Sequence, residues 1–286
     1  MPSNQPVAQT THRMRQLLVV AGVLVVVIGL PLYLVPQNSN EYFSWTVRFD
    51  LSAAFLGGSY LAAGVIEFGA ARERTWANAR IAVPAVLVFT VLTLLITLTN
   101  QDQYNYSASG FVQSAGTWAW LAVYAVVPPV MMLVLWLQFR HPGRDPVRES
   151  PLPAALRSAT AVGGAALVIG GVLLLLEPSA AAWMWSWPVK ALTARAIGAW
   201  MVGFGIAMAH IAWEADWRRI RAATSGAGAL GVLQLIALLR YRNDPDWTAP
   251  QTWVYLVVLV GFVAFGVWGW RVDRNTIQSP GESTGS

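Results

Sequence analysis

Residues Gln16–Val35 read QLLVVAGVLVVVIGLPLYLV, without one charged side chain. An α-helix rises about 1.5 Å per residue, so roughly 20 apolar residues cover the ~30 Å hydrocarbon core of a bilayer. Seven further stretches have the same character: Leu51–Ala70, Ile81–Thr99, Trp118–Phe139, Thr160–Leu176, Ala191–Ala212, Arg221–Leu239 and Trp253–Trp270. His12, Arg13 and Arg15 precede the first stretch as they would a secretory signal. Its length and the lack of a small-residue cleavage site favour a span instead. The expected fold is an all-α integral membrane protein of eight transmembrane helices.

Composition agrees. Of 286 residues, 56% are hydrophobic and 12% charged, with mean hydropathy +0.49. Soluble domains carry about 25% charged residues, so lipid is the expected solvent. The 15 Trp suit an interfacial belt, where the ring is buried and its N–H stays wet. A net charge of +5 would raise the question of nucleic acid in a soluble chain. Here the basic residues follow the loops, no basic and aromatic groove is visible, and no nucleic-acid partner is expected. Cysteine is absent, which excludes disulfides, thiolate metal sites and a cysteine nucleophile.

Alternate loops differ in charge. One set holds Arg13, Arg15, Arg72, Arg74, Arg80, Arg140, Arg144, Arg148, Arg157, Arg218, Arg219, Arg221, Arg271 and Arg274; the other holds Arg48, Lys190, Arg195, Arg240 and Arg242. Basic residues favour the cytoplasmic side, so both termini are expected there, in a multi-pass protein of the plasma membrane.

The two halves match in phase. Adding 142 carries Gly22 to Gly164, Gly29 to Gly171, Pro36 to Pro178 and Ser44-Trp45 to Ser186-Trp187. After a one-residue slip, adding 141 carries Gly57 to Gly198, Gly64 to Gly205, Glu73 to Glu214, Trp76 to Trp217 and Arg80 to Arg221. Adding 135 carries Thr117-Trp118 to Thr252-Trp253. This is the pattern of a tandem duplication. A unit of four spans is even, so the halves should be related by a parallel pseudo-two-fold axis along the membrane normal. Two side-by-side bundles or one interleaved bundle would both satisfy it. The expected division is 1–15 cytoplasmic tail, 16–140 first unit, 141–156 cytoplasmic linker, 157–274 second unit, and 275–286 disordered tail. The first dozen residues have a similarly open composition. The eight glycines Gly22, Gly29, Gly57, Gly64, Gly164, Gly171, Gly198 and Gly205 recur at seven-residue spacing, on one helix face, and are expected to pack helices rather than line a pore. Pro84 and Pro128-Pro129 should bend their spans.

Sites of chemistry are scarce. No phosphate loop, nucleophile elbow, zinc motif or clustered carboxylates occur, and no cofactor or metal is expected. His210 is the single histidine within a span and its repeat counterpart is Gly69, so a haem ligand pair is not supplied. Glu67 lies late in the second span. Glu177 and Arg195 share a depth near the outer face and are expected to pair. The aromatic run Trp183-Met184-Trp185-Ser186-Trp187-Pro188 is denser than a belt requires and would roof an outer cavity. Trp183, Trp185, Trp187, Glu177 and Arg195 are therefore the candidate ligand-binding residues. A local ion pair and interfacial anchoring explain the same residues without a ligand. On the inner side, Glu73/Trp76/Arg80 and Glu214/Trp217/Arg221 repeat a helix-joint pattern.

The stretch Ser186 to Trp200, SWPVKALTARAIGAW, together with Val232-Leu233-Gln234-Leu235, resembles predicted membrane proteins of actinobacteria that share a SWPLTPLTAR-x-IGAW type motif. The resemblance is weaker in the first half, where Arg48-Phe49-Asp50-Leu51-Ser52 stands in the corresponding place. It implies a bacterial plasma membrane and no particular activity. The doubled eight-span plan is also similar to the haem A synthase type, whose intramembrane histidines in both halves are missing here.

Three functions follow as expectations. The first is non-catalytic binding, or passive transport, of a small or lipidic molecule near the outer face. The second is an accessory subunit docking a membrane protein partner or a second copy. The third is an envelope-lipid enzyme using Glu67, Glu177 or His210. Few ionisable residues lie at mid-membrane, which disfavours an ion-coupled pump.

Overall fold

A computed structural model describes residues 6–278, with eight helices long and apolar enough to cross a membrane. They are α1 His12–Leu34, α2 Asp50–Arg72, α3 Trp76–Thr99, α4 Phe111–Phe139, α5 Ala154–Leu176, α6 Ala191–Glu214, α7 Trp217–Arg240 and α8 Pro250–Gln278. Among the described residues there is no strand beyond three isolated bridges.

Most helices overrun the expected spans by one to two turns, because capped and polar turns extend them past the hydrocarbon. Thr11 caps α1, accepting from the Met14 N–H, and Asp216 caps α7, accepting from the Arg218 and Arg219 N–H groups. After a first turn at Trp76–Ala79, α3 passes through a 3-10 turn at Arg80–Ala82, so Pro84 falls at the start of its long regular part, where a missing N–H costs little. Pro128 and Pro129 lie inside the unbroken α4. The α6–α7 turn is tight, and Ala215 takes a left-handed conformation there (φ 49°), at a cost of about 1–2 kcal/mol.

Burial separates inner from outer helices. In the apolar window of α2, 78% of residues are buried, against 11% for α8. The inner helices are α2, α3, α6 and α7; α1, α4, α5 and α8 are mostly lipid-facing. The halves interleave: α1 packs along α2 and α5 along α6, while α2 also packs on α7 and α6 on α3. The seven-spaced glycines sit on the first two of these contacts. A methyl group added at Gly57 would lie 2.8 Å from the Gly29 oxygen, and one at Gly198 would lie 2.7 Å from the Gly171 oxygen. Gly205 is equally tight on Gly164, and Gly64 faces Gly22 more loosely, with Val26 and Phe68 filling the gap. Backbones this close gain dispersion contacts that side chains would forbid.

The end of the bundle holding residues 6 and 278 is here called the near end, the opposite one the far end. Residues 7–10 are not loose at the near end, contrary to the open composition of the first dozen residues. The Ala8 N–H donates to Arg144 O at 2.9 Å, the Thr10 N–H to Arg74 O at 2.7 Å, and the Trp76 N–H to Ala8 O at 3.0 Å. The linker docks likewise: the Leu152 N–H donates to Ala215 O at 2.9 Å and the Trp217 N–H to Ser150 O at 2.8 Å. Backbone pairing, which side-chain composition does not report, holds both segments. Residues 275–278, expected to belong to the tail, continue α8; residues 279–286 lie outside the described residues.

Candidate functional site

The far end is closed by two aromatic loops. Pro36–Asn38 and Pro178–Ala180 each form a 3-10 turn, followed by short helices Ser39–Tyr42 and Ala181–Met184. Trp45 and Trp187, both 3% exposed, then turn inward. Around Trp45 gather Phe43, Tyr104 and Trp120, with ring centroids 4.3, 5.6 and 5.3 Å away. Thr97 donates to the Tyr104 oxygen at 3.1 Å, and burial pushes the Tyr104 hydroxyl up to about 12.

Of the five residues singled out at this end, Trp185 and Trp187 stay in contact, with ring centroids 5.0 Å apart, and the other three part. Glu177 turns back onto Ser179, bonding its N–H and hydroxyl. Arg195 instead donates to Asn100 Oδ1 at 3.2 Å and Leu175 O at 3.3 Å. The expected Glu177–Arg195 pair is therefore not formed: Glu177 is satisfied within its own turn by Ser179, and Arg195 by the ends of two neighbouring helices at Asn100 and Leu175. Trp183 is 66% exposed. Trp185 is half-buried and its indole N–H has no partner. Met184, Trp185 and Ser186 do border a cavity of about 180 Å³, which runs between α5 and α8 toward Gln234 and Phe262.

At the near end, the two joint motifs behave differently. Glu214, fully buried, pairs with Arg80 from the other half and with Arg219 at 3.0 Å; Arg80 also reaches Asp145 at 2.7 Å. His210 Nε2 stands 3.3 Å from Glu214, within the same cluster. The counterparts of Glu214 and Arg80 form no such pair: Glu73 accepts from Asn78, and Arg221 bonds Asp273 at 3.0 Å.

The chemically unusual residue is Glu67. It is 1% exposed, and neither carboxylate oxygen has a hydrogen-bond partner. It lies on α2 one and two turns beyond Ala63 and Tyr60, on the face turned to the inner bundle. It borders an apolar cavity of about 70 Å³ walled by six helices: Leu24 of α1, Ala63 of α2, Ala82, Val86 and Phe89 of α3, Val123 and Tyr124 of α4, Trp200, Gly203 and Ala207 of α6, and Ala223 of α7. No Lys, Arg or His borders it. Aromatic rings form its far side, with Phe89 and Trp200 at 4.0 Å between centroids; behind them Tyr60 packs on Trp200 at 4.9 Å and bonds the Tyr124 hydroxyl at 2.8 Å. On the α1–α4 side, Leu24, Val25, Ile28, Val123 and Val127 are all partly exposed. The two helices touch sparsely. The cavity is thus thinnest toward lipid.

Sequence inspection marked Glu67 as an acid in a span but gave no sign of its surroundings. Its isolation results from six helices converging, and no spacing within the chain encodes that. No known protein family, curated protein or solved structure matches this chain.

Proposed function

We propose that this chain is a duplicated four-span protein of a bacterial plasma membrane, its near end cytoplasmic, that binds or passively passes a small lipidic molecule taken from the bilayer between α1 and α4. The observation that carries the binding reading is the Glu67 cavity, an apolar space inside the helix bundle whose lipid-side wall is thin. A cavity of this kind costs lost packing, on the order of 1 kcal/mol or more for a void the size of a few methyl groups, so an occupant that fills it is favoured. The ligand position moves from the far-end charges of the sequence reading to this cavity, because Glu177 and Arg195 are each satisfied separately.

Support for the duplication lies in matched contacts. Shifts of 142 and 141 carry the Thr10–Arg74 bond onto Leu152–Ala215, Ala8–Trp76 onto Ser150–Trp217, and the Arg15 Nε bond to Ala71 O onto the Arg157 Nε bond to Ala212 O. The α1–α2 and α2–α7 packing has its counterparts in α5–α6 and α6–α3, which is what a parallel two-fold arrangement demands. The arginine-rich near end supports the orientation.

The binding reading is tested by gentle extraction of the full chain and mass spectrometry of what stays bound, in wild type and in Ala207→Phe, which fills the cavity. An apolar molecule present in the first and lost in the second is expected. Equal retention in both rejects the cavity as the binding place, and a stoichiometric protein in its stead would favour the accessory-subunit role.

A further inference from the structure

Resting on the cavity as the binding place, we infer that its ligand is a lipophilic amine: a single protonated nitrogen on an alkyl or isoprenoid tail, held by Glu67. Nine-tenths or more of buried polar groups in folded proteins have a partner, and both oxygens of Glu67 lack one. Two free acceptors call for a ligand that donates hydrogen bonds. Charge narrows the class further. The cavity carries one acid and no base, so a positive group is matched by Glu67 and an anionic head group is repelled. A neutral alcohol meets the carboxyl only in its protonated, uncharged form and forgoes the charge-assisted hydrogen bond that an ammonium makes with the carboxylate.

The rings support the same charge. Phe89, Tyr124, Trp200 and Phe204 all border the space, and aromatic faces attract ammonium groups, most strongly where water is excluded. The tail has an apolar course, past Ala21 and Leu24 toward the partly exposed Val123 and Val127, into the lipid between α1 and α4. The second cavity, beside Trp185, has no acid on its wall and offers an unpaired indole N–H instead. It suits an acceptor and would not compete for the amine.

The test uses the full-length protein in a neutral detergent at pH 7, with three probes of one chain length: dodecylamine, dodecanol and dodecanoate. Binding is read by isothermal calorimetry against empty micelles, for wild type, Glu67→Gln, Glu67→Asp and Ala207→Phe. Dodecylamine is expected to bind wild type at least about tenfold more tightly than dodecanol, since a charge-assisted hydrogen bond exceeds a neutral one. Dodecanoate should bind weakest. Glu67→Gln should abolish the amine preference and keep dodecanol binding, while Glu67→Asp retains the preference. Ala207→Phe should lose both. Equal affinity for amine and alcohol in wild type, or an amine preference that survives Glu67→Gln, overturns the assignment of charge and leaves the cavity reading standing. Binding of all probes unchanged by Ala207→Phe overturns the cavity reading itself, and the inference with it. Absence of amine binding to wild type also overturns the inference.

Discussion

The Trp187 indole N–H donates to the Ser52 hydroxyl at 2.9 Å, joining the far-end loop of the second half to the start of α2 in the first. The reciprocal contact runs the other way, from the Trp45 indole N–H to the Thr193 hydroxyl at 3.5 Å. Each half thus supplies the hydroxyl that satisfies the other's buried tryptophan.

Removing one partner leaves the other buried and unpaired, which costs about 1–3 kcal/mol, whereas removing both is milder. Ser52→Ala should therefore lower the melting temperature in detergent more than its added effect in a Trp187→Phe background. A double-mutant cycle measures the coupling. Strictly additive losses would mean the bond contributes nothing.

The glycine contacts give a sharper contrast. A side chain at Gly171 would meet the Gly198 oxygen at 2.6 Å, while at Gly261 nothing lies within 4 Å. Gly171→Leu should force α5 off α6 and destabilise by about 1–3 kcal/mol or more. Gly261→Leu, on the lipid face, should leave thermal stability unchanged. Two helices of similar hydropathy thus separate by contact geometry alone.

The two near-end joints predict unequal costs for one substitution. Glu214 is fully buried between Arg80 and Arg219, so Glu214→Gln removes the one buried charge that both guanidinium groups share. A loss of about 3 kcal/mol is expected, near the lower bound for breaking a buried pair because Asp145 still serves Arg80. Glu73→Gln, whose carboxylate accepts from Asn78 alone, should cost under about 1 kcal/mol. Matched losses at both sites would show that burial at Glu214 confers no special role.

How far the sequence carried the fold depends on which interaction sets each feature. Hydropathy follows from side-chain solvation, so all eight helices were visible in stretches such as Gln16–Val35. The glycine spacing at Gly29 and Gly57 was visible too, because small residues at seven-residue intervals mark one face. The docking of Ala8 and Thr10 was not, since backbone hydrogen bonds leave no mark on composition. Nor was the fate of Glu177 and Arg195. Equal depth suggested a pair, but depth leaves the position around the bundle open, and each residue found a nearer partner. Glu67 was visible as an acid in a span, and its lack of a partner depends on side chains from α1, α3, α4 and α6 that only the folded arrangement brings near.

Tyr104 supplies a pH signature at the far end. Burial raises its hydroxyl to about 12, above its ordinary value of 10.0. The folded chain therefore holds this proton more tightly than the unfolded one. Its contribution to stability is complete below pH 10 and is lost as pH climbs toward 12. Melting temperatures taken from pH 8 to 12 should fall more steeply for wild type than for Tyr104→Phe. Parallel curves would assign the alkaline loss to other groups. Tyr42, raised to about 12 by the same cause, is expected to account for part of what remains.

Orientation is open to direct measurement because the chain contains no cysteine. Single cysteines can be placed without a competing thiol, at Ser107 in the far-end loop and at His141 in the near-end linker, both exposed. Neither residue's side chain bridges helices, so both variants should fold. If the near end is cytoplasmic, as the fourteen arginines of the near-end loop set argue, a membrane-impermeant maleimide should label Ser107→Cys in intact cells. His141→Cys should react after permeabilisation and not before. The reverse pattern would invert the molecule. It would also place the Glu67 cavity, which lies toward the near end of α2, closer to the outer leaflet. The side from which a lipidic amine reaches Glu67 therefore hangs on the same experiment.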